Sequence, residues 1–201
     1  ALTCKLAIEH GCAIHLSGGY HHAHQQFGSG YCIFNDLTLA ANASLQLDNI
    51  ETVLIFDCDV HQGDGTATMA QSSSQIITCS IHCQENFPAR KQSSDYDVEL
   101  PRGAQDKQYL ETVNQTLAYL IRLHKPDLII YDAGVDIHSD DNLGHLNISI
   151  DGIYARDKEV IAQAKTAQIP IACVIGGGYS KEPQQLNLRH SQLFIAANTM
   201  W

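Results

Sequence analysis

Short apolar runs punctuate the chain. Cys12 to Leu16, Val53 to Phe56, Gln75 to Ile81, Leu128 to Tyr131 and Ile171 to Ile175 are each of strand length, and most are rich in β-branched residues. Helical spacing separates several of them. Leu110, Val113, Leu117, Leu120 and Ile121 recur at helical intervals before the run at Leu128, and Ile153, Val160, Ile161 and Ala164 do so before the run at Ile171. Strands apolar on both faces, alternating with amphipathic helices, predict an α/β fold with a parallel sheet flanked by helices. Ala1 to His10 reads as the middle of an amphipathic helix, with Leu2, Leu6 and Ile8 as its apolar residues and Gly11 as its stop. No capping residue precedes it, so the expectation is that the N-terminal part of the unit is missing and that something precedes the chain. Gln84 to Asp106, with Pro88 and Pro101, reads as one long surface loop. With no repeat, linker or low-complexity tract, residues 1–201 are expected to form a single domain, or the larger part of one.

Composition narrows the class. The 201 residues are 44% hydrophobic and 17% charged, within the globular range. No apolar stretch approaches the ~18 residues of a membrane span, and no signal peptide is evident. The net charge of −10 argues against nucleic acid or an anionic membrane as partner and favours a neutral or cationic ligand. Seven cysteines, an odd number without a C-x-x-C pair, speak against a disulfide framework and for a reducing, cytoplasmic setting. Eleven histidines against twelve Lys and Arg make imidazole the side chain to follow.

Several apolar runs end in polar or glycine-rich clusters, and ligands of parallel sheets bind beyond the carboxyl ends of the strands. In extended chain, Asp57, Asp59 and His61 share a face and can offer two carboxylates and an imidazole to a cation. Asp136 and His138 repeat the spacing, and either can complete a three-ligand site. Mixed carboxylate and imidazole donors suit Zn(II) or Fe(II), and three protein ligands leave a position for water or substrate. His21 and His22 follow a Gly-Gly at the end of a strand, where Asp57 or Asp64 can fix an imidazole tautomer. Gly176-Gly177-Gly178-Tyr179 places a phenol on a mobile glycine segment, able to meet a developing oxyanion.

In order, Gly19-Tyr20-His21-His22-Ala23, Gly30-Tyr31-Cys32-Ile33-Phe34-Asn35-Asp36, Asp57-Cys58-Asp59-Val60-His61-Gln62-Gly63-Asp64-Gly65, Ala133-Gly134-Val135-Asp136 and Gly176-Gly177-Gly178-Tyr179 resemble the motifs of the zinc-dependent histone deacetylase family. That family includes bacterial acetoin-utilisation and acetylpolyamine amidohydrolase relatives. Gln62 and the stretch from Asp136 to Ser149 look most like its class IV branch. The resemblance implies the three-layer arginase/deacetylase-like fold, with an upstream segment absent here, and removal of acetyl or related acyl groups from lysine or polyamine amines. It makes Asp59, His61 and Asp136 the ligands of one zinc ion, pairs His21 with Asp57 and His22 with Asp64, and makes Tyr179 the catalytic tyrosine. It also implies a structural potassium ion held by Asp57, the backbone of Asp59 and His61, and Ser80-Ile81. Gly30, Tyr31, Phe87 and Leu143 would line the substrate tunnel, which would take an acetylated lysine peptide or an acetylpolyamine. The loops Asn86 to Arg90 and His138 to Asn142 depart from the common pattern. Three alternatives stand beside this reading. One is an arginase-like binuclear hydrolase drawing Asp132, Asp57 and His138 to a second metal; the others are an Asp-x-Asp phosphatase and an inactive acyl binder.

Overall fold

In a computed structural model describing residues 1–200, the chain runs α1 (Leu2–His10), β1 (Cys12–His15), α2 (Asp36–Ser44), β2 (Val53–Asp57), α3 (Asp64–Ala70), β3 (Ile76–Cys83), β4 (Tyr96–Leu100), α4 (Asp106–His124), β5 (Leu128–Asp132), α5 (Ile150–Thr166), β6 (Ile171–Val174) and α6 (Pro183–Met200). The six strands form one parallel sheet in the order β1-β6-β5-β2-β3-β4. Alternation along the central strands divides the core. Leu54 and Phe56 of β2, with Ile129 and Tyr131 of β5, face Tyr109, Val113 and Leu117 of α4 and Val160 and Ile161 of α5. Val53 and Ile55, with Leu128 and Ile130, face Cys4 and Ala7 of α1 and Leu37 and Ala41 of α2. Both faces of β2 and β5 are therefore dry, which is why their sequences show apolar runs and no polar alternation.

The strand order places the chemistry. From β2 the chain steps outward to β3 and β4, whereas from β5 it steps the other way to β6. The switch in direction lies between neighbouring β2 and β5, and the crevice beyond their carboxyl ends is where such sheets bind ligands. Asp57 and Asp132 are register partners at those ends.

Two expectations are corrected. The polar stretch Gln84 to Asp106 is not one loop, because β4 lies inside it, parallel to β3. Its charged alternation (Tyr96, Asp97, Val98, Glu99, Leu100) is that of an edge strand with one covered face. In α1 the apolar residues are on the wrong side: Leu2, Leu6 and Ile8 are exposed, and the small Cys4 and Ala7 pack on the sheet. Small side chains let this helix lie close to β6 and β5. Three helices carry no clear apolar period. In α6 the buried positions are Arg189, Gln192, Leu193 and Ala196, so polar side chains hide the stripe. In α2 the start is set by Asn35, whose side chain accepts from Thr38 N, and α3 is a short helix of small residues that opens on Asp64.

Candidate active site

Strand β2 ends at Asp57, and the chain then bends through Cys58 to Gly63 before α3. The three alternating residues therefore do not share one target. Asp59 and His61 turn toward Asp136, whereas Asp57 turns toward His21. One donor atom each from Asp59, His61 and Asp136 lies within 4.8 Å of the others, all buried. His61 Nδ1 is 2.9 Å from Asp59 Oδ1 and 3.0 Å from Asp136 Oδ2. Backbone donors hold the carboxylates in place: Val60 N donates to Asp136 Oδ1, His61 N to Asp59 Oδ1, and Gly177 N to Asp59 Oδ2. The fully buried Asp136 Oδ2 has no aligned hydrogen-bond donor, and the His61 imidazole at 3.0 Å is the polar neighbour it faces.

That set fits a divalent cation. Burial, with the Asp59 charge adding to it, pushes the Asp136 carboxyl up to about 7. Burial alone would lower His61, but contact with Asp136 and Asp59 raises it to about 10. The two buried acids thus favour the imidazolium form of His61 as their counter-charge. A metal ion would take over that role, displace the proton and find a free lone pair on Asp136 Oδ2. Two carboxylates and one imidazole leave a position open for a reactant.

His21 and His22 lie beside this set. His21 Nδ1 is 2.7 Å from Asp57 Oδ2, and His22 Nδ1 is 2.6 Å from Asp64 Oδ1, all four side chains being buried. Burial and the adjacent His21 lower the His22 pKa. Burial alone would lower His21 too, yet Asp57 and Asp59 lift it well above the usual imidazole value. The two imidazoles, at ring centroids 4.1 Å apart, are thus driven in opposite directions, His22 toward the neutral form and His21 toward the cation.

A cleft of about 540 Å³ opens above these groups, lined by His22, Ser29, Gly30, Tyr31, His61, Asn86, Phe87, Asn142, Leu143, His145 and Tyr179. Phe87 stands edge-on to His22 at 4.8 Å, and Tyr31 is 83% exposed at the mouth. Gly30 is at φ +49, and a Cβ there would come within 2.2 Å of the His22 ring, so glycine is what lets the wall approach the histidine. The Tyr179 ring lies 6.2 Å from His61. Burial pushes its phenol up, keeping it a donor.

The histone deacetylase domain model matches residues 2–193. The chain belongs to the histone deacetylase family. It is 46% identical over 200 residues to an uncharacterised protein of Picosynechococcus sp. (100% of this chain, 67% of that one). It is 36% identical over 183 residues to histone deacetylase 2 of Arabidopsis thaliana (90% and 47%), and 34% over 193 residues to the acetoin utilization protein AcuC of Staphylococcus aureus strain MRSA252 (89% and 49%). The chain thus spans two thirds of the first relative and about half of each of the others. Its six-stranded parallel sheet between helical layers is the α/β architecture that the apolar runs imply.

Within this deacetylase-family chain, several residues sit where their spacing could not place them. His138 stays outside the Asp59, His61 and Asp136 group and accepts from Asp140 N through Nδ1. The glycine segment before Tyr179 is held rather than mobile: Val135 N donates to Gly177 O, and a Cβ on Gly177 would come within 2.5 Å of both Asp59 and Asp136. Asp141, in the loop His138 to Asn142, accepts from Tyr179 N at 2.7 Å and from Leu143 and Gly144, so it orders two walls of the cleft. Gln62 binds Gln92 and Asp97 and so fastens the turn of His61 to the β4 segment. Ser80 lies opposite Asp57 in register, with Ile81 next to it, and the Ser80 hydroxyl pairs with His82. Asp132, expected only as an arginase-like ligand, is a further buried acid beside the site. Its oxygens have no partner, it lies with His21 and Asp57 within 4.8 Å, and Gly19 and Gly176 leave room for it. Burial and the neighbouring Asp57 push its carboxyl well above the usual range.

No helix among the described residues is long and apolar enough to cross a membrane.

Proposed function

We propose that the protein is a zinc-dependent amidohydrolase that removes acetyl or related acyl groups from lysine or polyamine amines. The observation that carries this reading is the convergence of Asp59, His61 and Asp136 at the foot of a cleft that also presents a neutral imidazole and a phenol. A zinc ion held by those three residues would supply Lewis acidity, polarising the acyl carbonyl and making water a stronger nucleophile at neutral pH. His22, kept neutral by burial and the adjacent His21 and oriented by Asp64, takes the proton of that water and returns one to the departing amine. His21, paired with Asp57, stays cationic and stabilises negative charge. Tyr179 donates its O–H to the oxyanion that develops on the acyl oxygen, an interaction strongest in the transition state. Tyr31, Phe87 and Leu143 flank the alkyl chain of the amine, and Gly30 lets it pass close to His22. Asp57, the backbone of Asp59 and His61, and Ser80-Ile81 would hold a structural potassium ion. Residues 1–201 belong to a single deacetylase-like domain, and their seven free thiols suit a cytoplasmic setting.

The lowered pKa of His22 gives a pH prediction. Its neutral, proton-accepting form persists below pH 6.5, so the acid limb of kcat/KM is expected below that value. A limb above 7 in the full-length enzyme would contradict His22 as the base. The substrate class is tested by acetate release from an acetyl-lysine peptide and from an acetylated diamine, using full-length zinc-loaded protein. Turnover of at least one is expected. Binding of both without release would instead favour an inactive acyl binder.

A binuclear hydrolase has one observation in its favour, the second buried group of His21, Asp57 and Asp132. His138, which that reading would enlist, is absent from the group, and His21 Nδ1 is already engaged by Asp57.

A further inference from the structure

Arg156 lies in α5, outside the lining of the cleft, and both it and Asp157 are 0% exposed. A guanidinium is buried at such cost only where its donors are met. Here Nε and NH2 each lie 2.9 Å from Asp157 Oδ1, NH1 donates to Gly134 O at 2.6 Å, and NH2 donates to Ala133 O at 3.0 Å. NH1 also reaches Cys58 O and the Tyr109 hydroxyl, at 3.5 and 3.4 Å. Asp157 is in turn fixed by the Tyr131 hydroxyl of β5 at 2.7 Å.

The gripped carbonyls are informative. Cys58 stands between Asp57 and Asp59, just past β2, and Ala133-Gly134 lead from Asp132 toward Asp136, just past β5. One cation therefore ties together the two turns on either side of the topological switch, each of which delivers a carboxylate to the Asp59, His61 and Asp136 set. A lysine at this position would keep the charge but, as a point donor on a flexible stem, could not span the carbonyls of both turns. Helical spacing hides this role, because an Arg-Asp pair within a helix reads as solvated surface.

We propose that Arg156, oriented by Asp157, is a positioning residue that sets the separation of the two ligand-bearing turns, and with it metal affinity and turnover. The proposal rests on the reading of Asp59, His61 and Asp136 as metal ligands. Arg156 does not line the cleft, so its loss is expected to act on the ligand-bearing turns and to leave KM little changed.

The test is cobalt(II) titration of the full-length protein, read by visible absorption, with kcat, KM and thermal melts, for wild type, Arg156→Lys and Asp157→Asn. The expected result for Arg156→Lys is a cobalt Kd raised roughly 10- to 100-fold, altered ligand-field bands and a lower kcat, with KM within about twofold. Asp157→Asn keeps an oxygen for Tyr131 and Arg156 and should show the same pattern severalfold weaker. Folded variants that melt earlier but keep wild-type Kd, bands and kcat would overturn the proposal, leaving Arg156 a purely structural clamp. Should Arg156→Lys fail to fold, Asp157→Asn decides by the same criteria. Cobalt uptake by wild type that Asp136→Ala does not diminish would overturn the ligand reading, and the positioning role with it.

Discussion

Asp136→Ala is expected to strip the protein of zinc and with it all measurable acyl hydrolysis. The substitution removes one of two anionic donors from a three-residue set, so affinity should fall by more than the roughly 10- to 100-fold that loss of a mere outer partner costs. It also leaves Val60 N without its acceptor and His61 with one carboxylate where it now has two. Asp136→Asn keeps an oxygen for Val60 N but loses the charge, and separates disruption of the turn from loss of the ligand. Metal content by elemental analysis is the readout, with His138→Ala as control, since that imidazole points to Asp140 N instead. If His138→Ala lost the metal and Asp136→Ala kept it, the ligand assignment would be wrong.

Tyr179→Phe should retain zinc and lose turnover. Backbone contacts hold this residue: Tyr179 N donates to Asp141, and the glycine segment before it is pinned against Asp59 and Val135. The phenyl ring should therefore stay where the phenol is, and the change removes one hydrogen bond. A donor aimed at a developing oxyanion in a partly dry cleft contributes about 3 kcal/mol to the transition state, or about a hundredfold in kcat. KM should change little, because the bond is made chiefly in the transition state. Wild-type turnover in a zinc-replete Tyr179→Phe enzyme would remove the oxyanion role.

Much of the architecture can be read from the chain, for a physical reason. Strands buried on both faces must be uniformly apolar, so β2, β5 and β6 stand out, and the polar residues that end each run fall on one rim. What escapes reading is whatever depends on the third dimension. Spacing cannot choose between Asp136 and His138, because the choice is made by the turn after β5, where Val135 N meets Gly177 O and Val60 N meets Asp136. The edge strand β4 hides because only alternate side chains are covered. Leu2, Leu6 and Ile8 mislead because small residues, not large ones, face the sheet in α1. Asp132 and Arg156 look ordinary in sequence, and only burial shows what each one faces.

The account stands on one metal serving one set of ligands. Its most direct test is zinc titration of metal-stripped full-length protein while acetate release from an acetyl-lysine peptide or acetylated diamine is followed. Activity should rise linearly and saturate at one zinc per chain. Saturation only at two metals per chain, through His21, Asp57 and Asp132, or no activity at full occupancy of the Asp59, His61 and Asp136 site, would contradict it.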